Sequence, residues 1–428
     1  MRYAIMGATL QQVKSAGGTD IKESRRIGII FATLNGEQVA RLRSLGFHIE
    51  KVGGVQAMVM PPIVAPPVPV AAAPTYTPEE LVWAIGMEEL RAITDPPLYG
   101  EGFNLAIIDT GIRETHEKIN GRVVYSKNYT SDPMRDGLNH GTGVCSIILA
   151  VAPLCNVLNL KVLDEKGEGT EEDVVLAIDD CIDFYDTQPQ IAPQIINLSL
   201  GAPDDGNPNN VLRVACRAAI EKGIWVFASA GNGGAPMTIT NPACEQYVAA
   251  IGSAKYIPEE SSFVVSSFSS RGPTLEGLTK PDVVLFGEDI AVASSSSDTD
   301  TVAKSGTSFA TPLGSGAVAL TLEGLGRAAR LIPEYEEMYQ MFLRYPPMVS
   351  PEELLDLWAP RITVKPPGAV SGKDNDYGWG LPLGELVAQA LGAMPAVGIS
   401  EALSSLMPLV VIGMLGMVMG SMAKGLGG

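Results

Sequence analysis

The sequence predicts an α/β fold with a central, mostly parallel sheet covered by helices on both faces. Three observations predict it. Six short apolar runs, FNLAIID, NVLNLKV, QIINLSL, IWVFASA, YVAAIGS and DVVLF, follow one another along the chain without the polar–apolar alternation of half-exposed strands. Between them, EEDVVLAIDDCIDFY and NNVLRVACRAAIEKG place apolar residues at helical spacing. A chain of 428 residues with 46% hydrophobic content also has ample material for one large core.

Taken in order, the chain divides into four parts. Residues 1–60 contain RIGIIFATL, EQVARLRSLGF and VQAMVM, which read as strand, amphipathic helix and strand, a small α/β unit of its own. Residues 61–78, PPIVAPPVPVAAAPTYTP, are a Pro/Ala-rich linker, extended and semi-rigid. Residues 79–391 hold the alternating runs and helices of the large domain, and residues 392–428 form a hydrophobic tail. Within the tail, Ala402–Ala423 carries no charge and is long enough to cross a bilayer as a helix; Gly416 and Gly420 form a GxxxG face. Pro408 and several glycines weaken that helix in water, so docking on a protein partner competes with membrane attachment. Glu401 and Lys424 flank the segment and leave its orientation open. The start, MRYAIMGATLQQVKSAGG, lacks an apolar stretch after a basic residue, so no ordinary secretory signal is expected and localisation stays open.

Thirty Lys and Arg against 48 Asp and Glu give a net charge of −18, which repels phosphate backbones and excludes a nucleic-acid partner. The five cysteines, Cys145, Cys155, Cys181, Cys216 and Cys244, form no CxxC pair and read as small buried hydrophobes.

In doubly covered parallel sheets, sites form beyond the carboxyl ends of strands. Asp109 ends the run AIID before Thr-Gly, and His140 opens HGTGVCSIILAVAP, where Gly141 and Gly143 leave space around the ring. A base and its orienting carboxylate need such a pair. His48 lies in the small N-terminal unit, and His116 sits in the loop RETHEKI. Asn232 follows a buried strand in FASAGNGG, where it suits either a left-handed turn or an amide aimed at an oxyanion. Ser308, in KSGTSFATPLGSGAVAL, reads either as a helix N-cap or as a nucleophile at a helix start, with Pro312 in the first turn.

DTGI, HGTG, SAGN and GTSFATP, in that order, resemble the subtilisin-like (subtilase) serine endopeptidases, and KVLDEKGEG, INLSLG, SSFSSRGP, KPDV and YGWGLPLGELV extend the resemblance over about Val82 to Leu391. The resemblance implies the family's three-layer fold and an Asp–His–Ser mechanism. Asp109 would orient His140, His140 would take the proton from Ser308, and Asn232 with the Ser308 N–H would stabilise the oxyanion. It also implies that Gly167, Glu168 and Gly169 with Ser199, Leu200 and Gly201 bind substrate as an added antiparallel strand, beside a side-chain pocket at Ala230, Gly231 and Gly233. No charge appears in SAGNGGAP or SLGAP, so an uncharged or apolar side chain is expected before the cut.

The chain departs from the family pattern at Gly143 and Leu313, where the family commonly has non-catalytic histidines. Lys118 stands where an acidic calcium ligand is usual, so that calcium site is expected to be absent and no cofactor is required for the chemistry. The acidic run DEKGEGTEED reads as a solvated face rather than a second calcium site. By size and place, residues 1–60 resemble the family's propeptide, an inhibitor that covers the cleft of the precursor. Pro61 and Pro62 obstruct cleavage directly after VQAMVM, so processing is expected around Ala71–Thr77. Two other classes compete: a non-catalytic scaffold of the same fold, and a metal hydrolase using His116, Glu117 and His140, which lacks any HExxH spacing.

Overall fold

A computed structural model describes residues 1–58, 75–260, 262–331, 362–384 and 386. The hydrophobic segment Ala402–Ala423 and most of the linker lie outside the described residues.

The N-terminal unit runs β1 (Arg2–Met6), α1 (Leu10–Ser15), β2 (Thr19–Ser24), β3 (Ile29–Thr33), α2 (Gly36–Ser44) and β4 (His48–Lys51). Its antiparallel sheet has the order β2-β3-β1-β4. Both helices start on capping boxes, Thr9 with Gln12 and Asn35 with Gln38, in which each side chain satisfies the other's backbone N–H. One face of the sheet, with Ile5, Ile30 and Ile49, packs on Val13, Val39 and Leu42 of these helices. The other face, with Ala4, Ile29 and Phe31, joins the core of the large domain.

A fifth strand, β5 (Gly54–Ala57), leaves this sheet. Here the structure corrects the sequence reading, which assigned VQAMVM to the small unit: the hydrogen-bond partners of β5 are edges of the large domain. The linker is shorter than 61–78, since Tyr76 N donates to Asp289 O (2.8 Å) and Ala291 N to Tyr76 O (2.8 Å). Thr77 then caps α3 (Pro78–Ala84), with Pro78 in the first turn where its missing N–H costs nothing.

The large domain continues through α4 (Met87–Arg91), β6 (Asn104–Asp109), β7 (Val123–Asn128), α5 (Gly141–Val151), β8 (Asn156–Lys161), β9 (Glu168–Thr170) and α6 (Glu171–Thr187). Then come β10 (Ile195–Leu198), β11 (Leu200–Gly201), α7 (Val211–Glu221), β12 (Trp225–Ser229), β13 (Ala249–Ile257), β14 (Ser262–Val265) and β15 (Val283–Phe286). The hairpin β16 (Ile290–Ala293) and β17 (Thr301–Lys304) leads to the long helix α8 (Thr307–Leu331), and β18 (Thr363–Val364) pairs with β19 (Leu381–Pro382).

The central sheet has eight strands in the order β14-β13-β12-β10-β6-β8-β7, with β15 also on β13. All pairs are parallel except β13–β14. Alternate residues serve opposite faces, as the pleat requires. Leu105 and Ile107 of β6 pack with α5 and α8, whereas Ala106 and Ile108 pack with α6 and α7. The inner strands are therefore buried on both sides, which is why they read as unbroken apolar runs, whereas the edge strand β7 (VVYSKN) has no fully buried residue. All five cysteines are free and buried.

Candidate active site

β6 delivers Asp109 from the sheet centre, and α5 begins just after His140. His140 Nδ1 lies 2.6 Å from Asp109 Oδ1, and both side chains are buried. The same carboxylate oxygen accepts the Thr110 N–H (2.6 Å). His140 is the N-cap residue of α5 but makes no side-chain cap bond, because its ring is turned to Asp109.

A web of polar groups holds the pair. Thr110 Oγ1 donates to Asp136 Oδ1 (2.9 Å) and accepts from Gly141 N (3.0 Å), while Thr142 N donates to Asp136 Oδ2 (3.0 Å). Lys161, fully buried at the end of β8, donates its Nζ to Thr110 O (2.5 Å) and Leu163 O (2.8 Å). Burial pulls its ammonium below the ordinary lysine value, against the attraction of Asp136, Asp132 and Asp109. The glycines of HGTG act differently from their sequence reading. A Cβ at Gly141 would run into the Gly111 carbonyl, and one at Gly143 would meet Val292 and, at 3.3 Å, the Phe309 ring. That ring packs edge-on to the imidazole, 5.3 Å between centroids.

Ser308 lies inside the first turn of α8, which starts at Thr307, so it is not the residue before the helix. Pro312 is the sixth helical residue, beyond the first turn, and this too corrects the sequence reading. A proline there cannot donate to the carbonyl four residues earlier. That carbonyl belongs to Ser308, and Ser199 Oγ donates to it instead (2.8 Å).

Asn232 faces Ser308. Its Oδ1 accepts from Thr307 N (3.0 Å) and Thr307 Oγ1 (3.0 Å), which fixes the amide so that Nδ2 points outward. Nδ2 donates to Met58 O at 2.9 Å, and Ser308 Oγ donates to the same oxygen at 2.6 Å. Ser308 Oγ also lies 2.9 Å from Ser199 O. His140 Nε2 is buried without a hydrogen-bond partner, so the serine hydroxyl points at the Met58 carbonyl rather than at the base. A Cβ at Gly306 would stand 2.5 Å from Met58 O, and its φ of +152° also favours glycine.

The chain reaches this point as a strand. β5 lies antiparallel between β9 and β11, with Val55 opposite Gly169, Gln56 opposite Glu168 and Gly201, and Ala57 opposite Leu200. Ala57 N donates to Gly167 O (2.9 Å) and Met58 N to Ser199 O (3.3 Å). Gly167, Glu168, Gly169, Ser199, Leu200 and Gly201 thus come together as the two walls of one cleft. Met58 is 6% exposed, its side chain lies over Gly201, and it forms one wall of a cavity of about 580 Å³ that Asn232, Gly233, Thr238 and Thr240 also line. Asp204 lines it as well, a charge the sequence reading overlooked. Ala230 and Gly231 lie behind it, Ala230 N bonded to Ile251 O (2.9 Å) and Gly231 N to Thr307 Oγ1 (3.3 Å).

The other histidines stand apart from this site. His116 is buried with Nε2 3.0 Å from Asp300 O and Nδ1 accepting from Lys118 N (3.2 Å); His48 is exposed on β4. Lys118 itself is paired with Glu79 at 2.7 Å. Asp136 and Lys161 escaped the sequence reading, although Asp136 stands four residues before His140.

A profile of the subtilase family matches residues 100–380, a span that contains Asp109, His140, Asn232 and Ser308. The chain belongs to the subtilase family. It is similar to the serine protease AprX of Bacillus subtilis, 32% identical over a 258-residue alignment that covers 53% of this chain and 58% of that protein. It also matches subtilisin-like protease 1 of Arthroderma otae (29% identity, 54% of this chain and 45% of the other) and of Trichophyton tonsurans (30%, 54% and 43%). The chain spans about half the length of these curated relatives.

Proposed function

We propose that this subtilase is a serine endopeptidase and that its N-terminal unit occupies the active-site cleft in the manner of a substrate. One observation carries the reading: the Met58 carbonyl oxygen accepts hydrogen bonds from both Ser308 Oγ (2.6 Å) and Asn232 Nδ2 (2.9 Å). A carbonyl held between a hydroxyl and an amide donor is the ground state of nucleophilic acyl transfer.

In the reaction, Ser308 Oγ turns toward His140 Nε2, gives up its proton there, and attacks the Met58 carbonyl carbon. Asp109 on Nδ1 stabilises the imidazolium that forms. Asn232 Nδ2 follows the oxygen as it gains charge. His140 then protonates the leaving amine of Val59, and water attacks the acyl-enzyme by the same route in reverse. The bond cut in the precursor is thus Met58–Val59, in place of the expected Ala71–Thr77, since two residues separate Met58 from Pro61 and no proline N–H is demanded at the reacting bond. Main-chain pairing through β9 and β11 asks little of sequence. The cavity beside Met58 favours an apolar or uncharged side chain before the cut, and Asp204 is the group that would admit a cationic one.

The reading is tested by expressing the full chain beside its Ser308→Ala variant and sequencing new N-termini. The wild type should shorten to a chain beginning at Val59, and the variant should stay intact. A peptide library cleaved mainly after Met, Leu or Phe supports the pocket assignment. Cleavage mainly after Arg or Lys that Asp204→Asn abolishes would replace it, and an intact wild type with no hydrolysis of any library peptide would end the endopeptidase reading.

A further inference from the structure

β4 lies beside β1 with Glu50 opposite Ala4, and Ala4 faces the apolar core shared with α6 and α7. Glu50 therefore projects toward those helices at the edge of the seam. Its Oε1 accepts from Asn210 Nδ2 (3.2 Å), and its Oε2 is buried without a hydrogen-bond partner. Across the seam Glu171, buried at the start of α6, accepts from the same Asn210 Nδ2 (3.0 Å) and from Gly53 N (2.7 Å). Asn210 cannot turn away, because its Oδ1 accepts from Leu212 N (2.9 Å) and Asn241 Nδ2 (2.7 Å). One amide group thus serves two carboxylates, one from each side of the interface.

The surrounding charges do not relieve this pair. On β1 and β2, Arg2 and Lys22 are paired with Glu172; on α7, Arg213 is paired with Glu245 and Glu276. On β4 itself His48 and Lys51 are exposed. Of the remaining acids, Asp173 is bonded to Thr170 Oγ1 (2.6 Å), Asp204 accepts from Gly206 N (2.9 Å), and Asp205 adds its charge to that of Glu171. Among the described residues neither Glu50 nor Glu171 has an ion-pair partner. Burial, then the charges of Glu171 and Asp205, push the Glu50 carboxyl up to about 7, against the lowering effect of its hydrogen bonds from Asn210 and the Val211 backbone; burial pushes Glu171 in the same direction, against its bonds from Asn210 and Gly53.

We propose that Glu50 and Glu171 form a pH-sensitive latch on the N-terminal unit, closed while Glu50 carries a proton and loosened when Glu50 ionises against Glu171 and Asp205. The latch rests on the reading of that unit as the occupant and inhibitor of the cleft. In the released unit Glu50 returns to the ordinary value of 4.5, so docking takes up a proton. The contribution is complete below that value, is lost as pH rises toward about 7, and stays lost above it. The full change is on the order of a hundredfold in docking equilibrium.

The test uses the full-length Ser308→Ala chain, which cannot cut itself. Amide hydrogen exchange of residues 50–58, corrected for intrinsic rates, is followed from about pH 5 to about pH 8, with and without Glu50→Gln. Protection should fall about tenfold or more in the Ser308→Ala chain and stay within about threefold when Glu50→Gln is added. An equal fall in both overturns the latch. Should Glu50→Gln undock the unit at every pH, Asp205→Asn decides, since it removes a charge without touching the Asn210 bonds: a flatter fall supports the latch and an unchanged fall overturns it. If residues 50–58 are unprotected at every pH in Ser308→Ala itself, the occupied-cleft reading fails, and the latch with it.

Discussion

Asp109 bonds to His140 and to the Thr110 N–H, while Ser308 bonds to Met58 of the N-terminal segment and to Ser199. The first pair is held entirely by the large domain: Thr110, Asp136 and Thr142 fix the loops, and the Phe309 ring closes the other side. The serine is held partly by the occupant of the cleft. The two halves of the site therefore answer to different controls. The bonds of Asp109 and His140 involve no residue of the N-terminal unit, whereas Ser308 and Asn232 both bond to Met58, the residue that follows β5.

The largest expected effects break the two halves separately. His140→Ala and Ser308→Ala should each remove nearly all turnover on a peptide substrate, and their combination should cost little more, because base and nucleophile act as one unit. Asp109→Asn leaves the contact but reverses its polarity, and should lower kcat by about 10⁴-fold, a magnitude known for the same change in a serine protease of a different fold. Steady-state kinetics on the chain freed of residues 1–58 check all three; additive losses in the double variant would show that His140 and Ser308 do not work together.

Next comes the amide of Asn232, which bonds the Met58 carbonyl and, in the proposed mechanism, the oxyanion. Asn232→Ala should lower kcat by roughly 10²–10³-fold with KM little changed, a magnitude known for this donor in subtilisin itself. The same variant removes one of the two bonds to the Met58 carbonyl, so it should also loosen β5 in the full-length chain. A rise in KM with unchanged kcat would mean that Asn232 only binds the strand.

How much of this was legible beforehand differs between the halves in the same way. Asp109, His140, Asn232 and Ser308 stand in short motifs at or just after strand ends or at helix starts, and their side chains are the types that the proposed chemistry needs. The position of β5 was not legible: main-chain pairing between β5, β9 and β11 leaves no side-chain signature, and VQAMVM looks alike in either sheet. The N-terminal strand β1 and helix α1 carry weak apolar patterns, and only the capping box of Thr9 with Gln12 marks the helix start. Lys161 reads as the polar end of an apolar strand, and nothing local announces that its ammonium is buried between two carbonyls.

The smallest expected effect concerns the joint where cleft wall and nucleophile helix meet. Pro312 leaves the Ser308 carbonyl without a helical donor, and Ser199 Oγ supplies one at 2.8 Å. Ser199→Ala should leave a buried carbonyl unsatisfied and destabilise the large domain by about 1–2 kcal/mol, with kcat reduced only a few-fold. Pro312→Ala restores a backbone N–H four residues after Ser308, which can donate to the same oxygen without Ser199. The double variant should therefore recover most of the stability lost in Ser199→Ala, giving a coupling of about 1 kcal/mol between two residues that share one acceptor. Urea unfolding of the four chains, all in the Ser308→Ala background to prevent self-digestion, measures it. Strictly additive losses would mean that the Ser199 hydroxyl and the proline do not compete for that carbonyl, and that the serine serves the cleft wall alone.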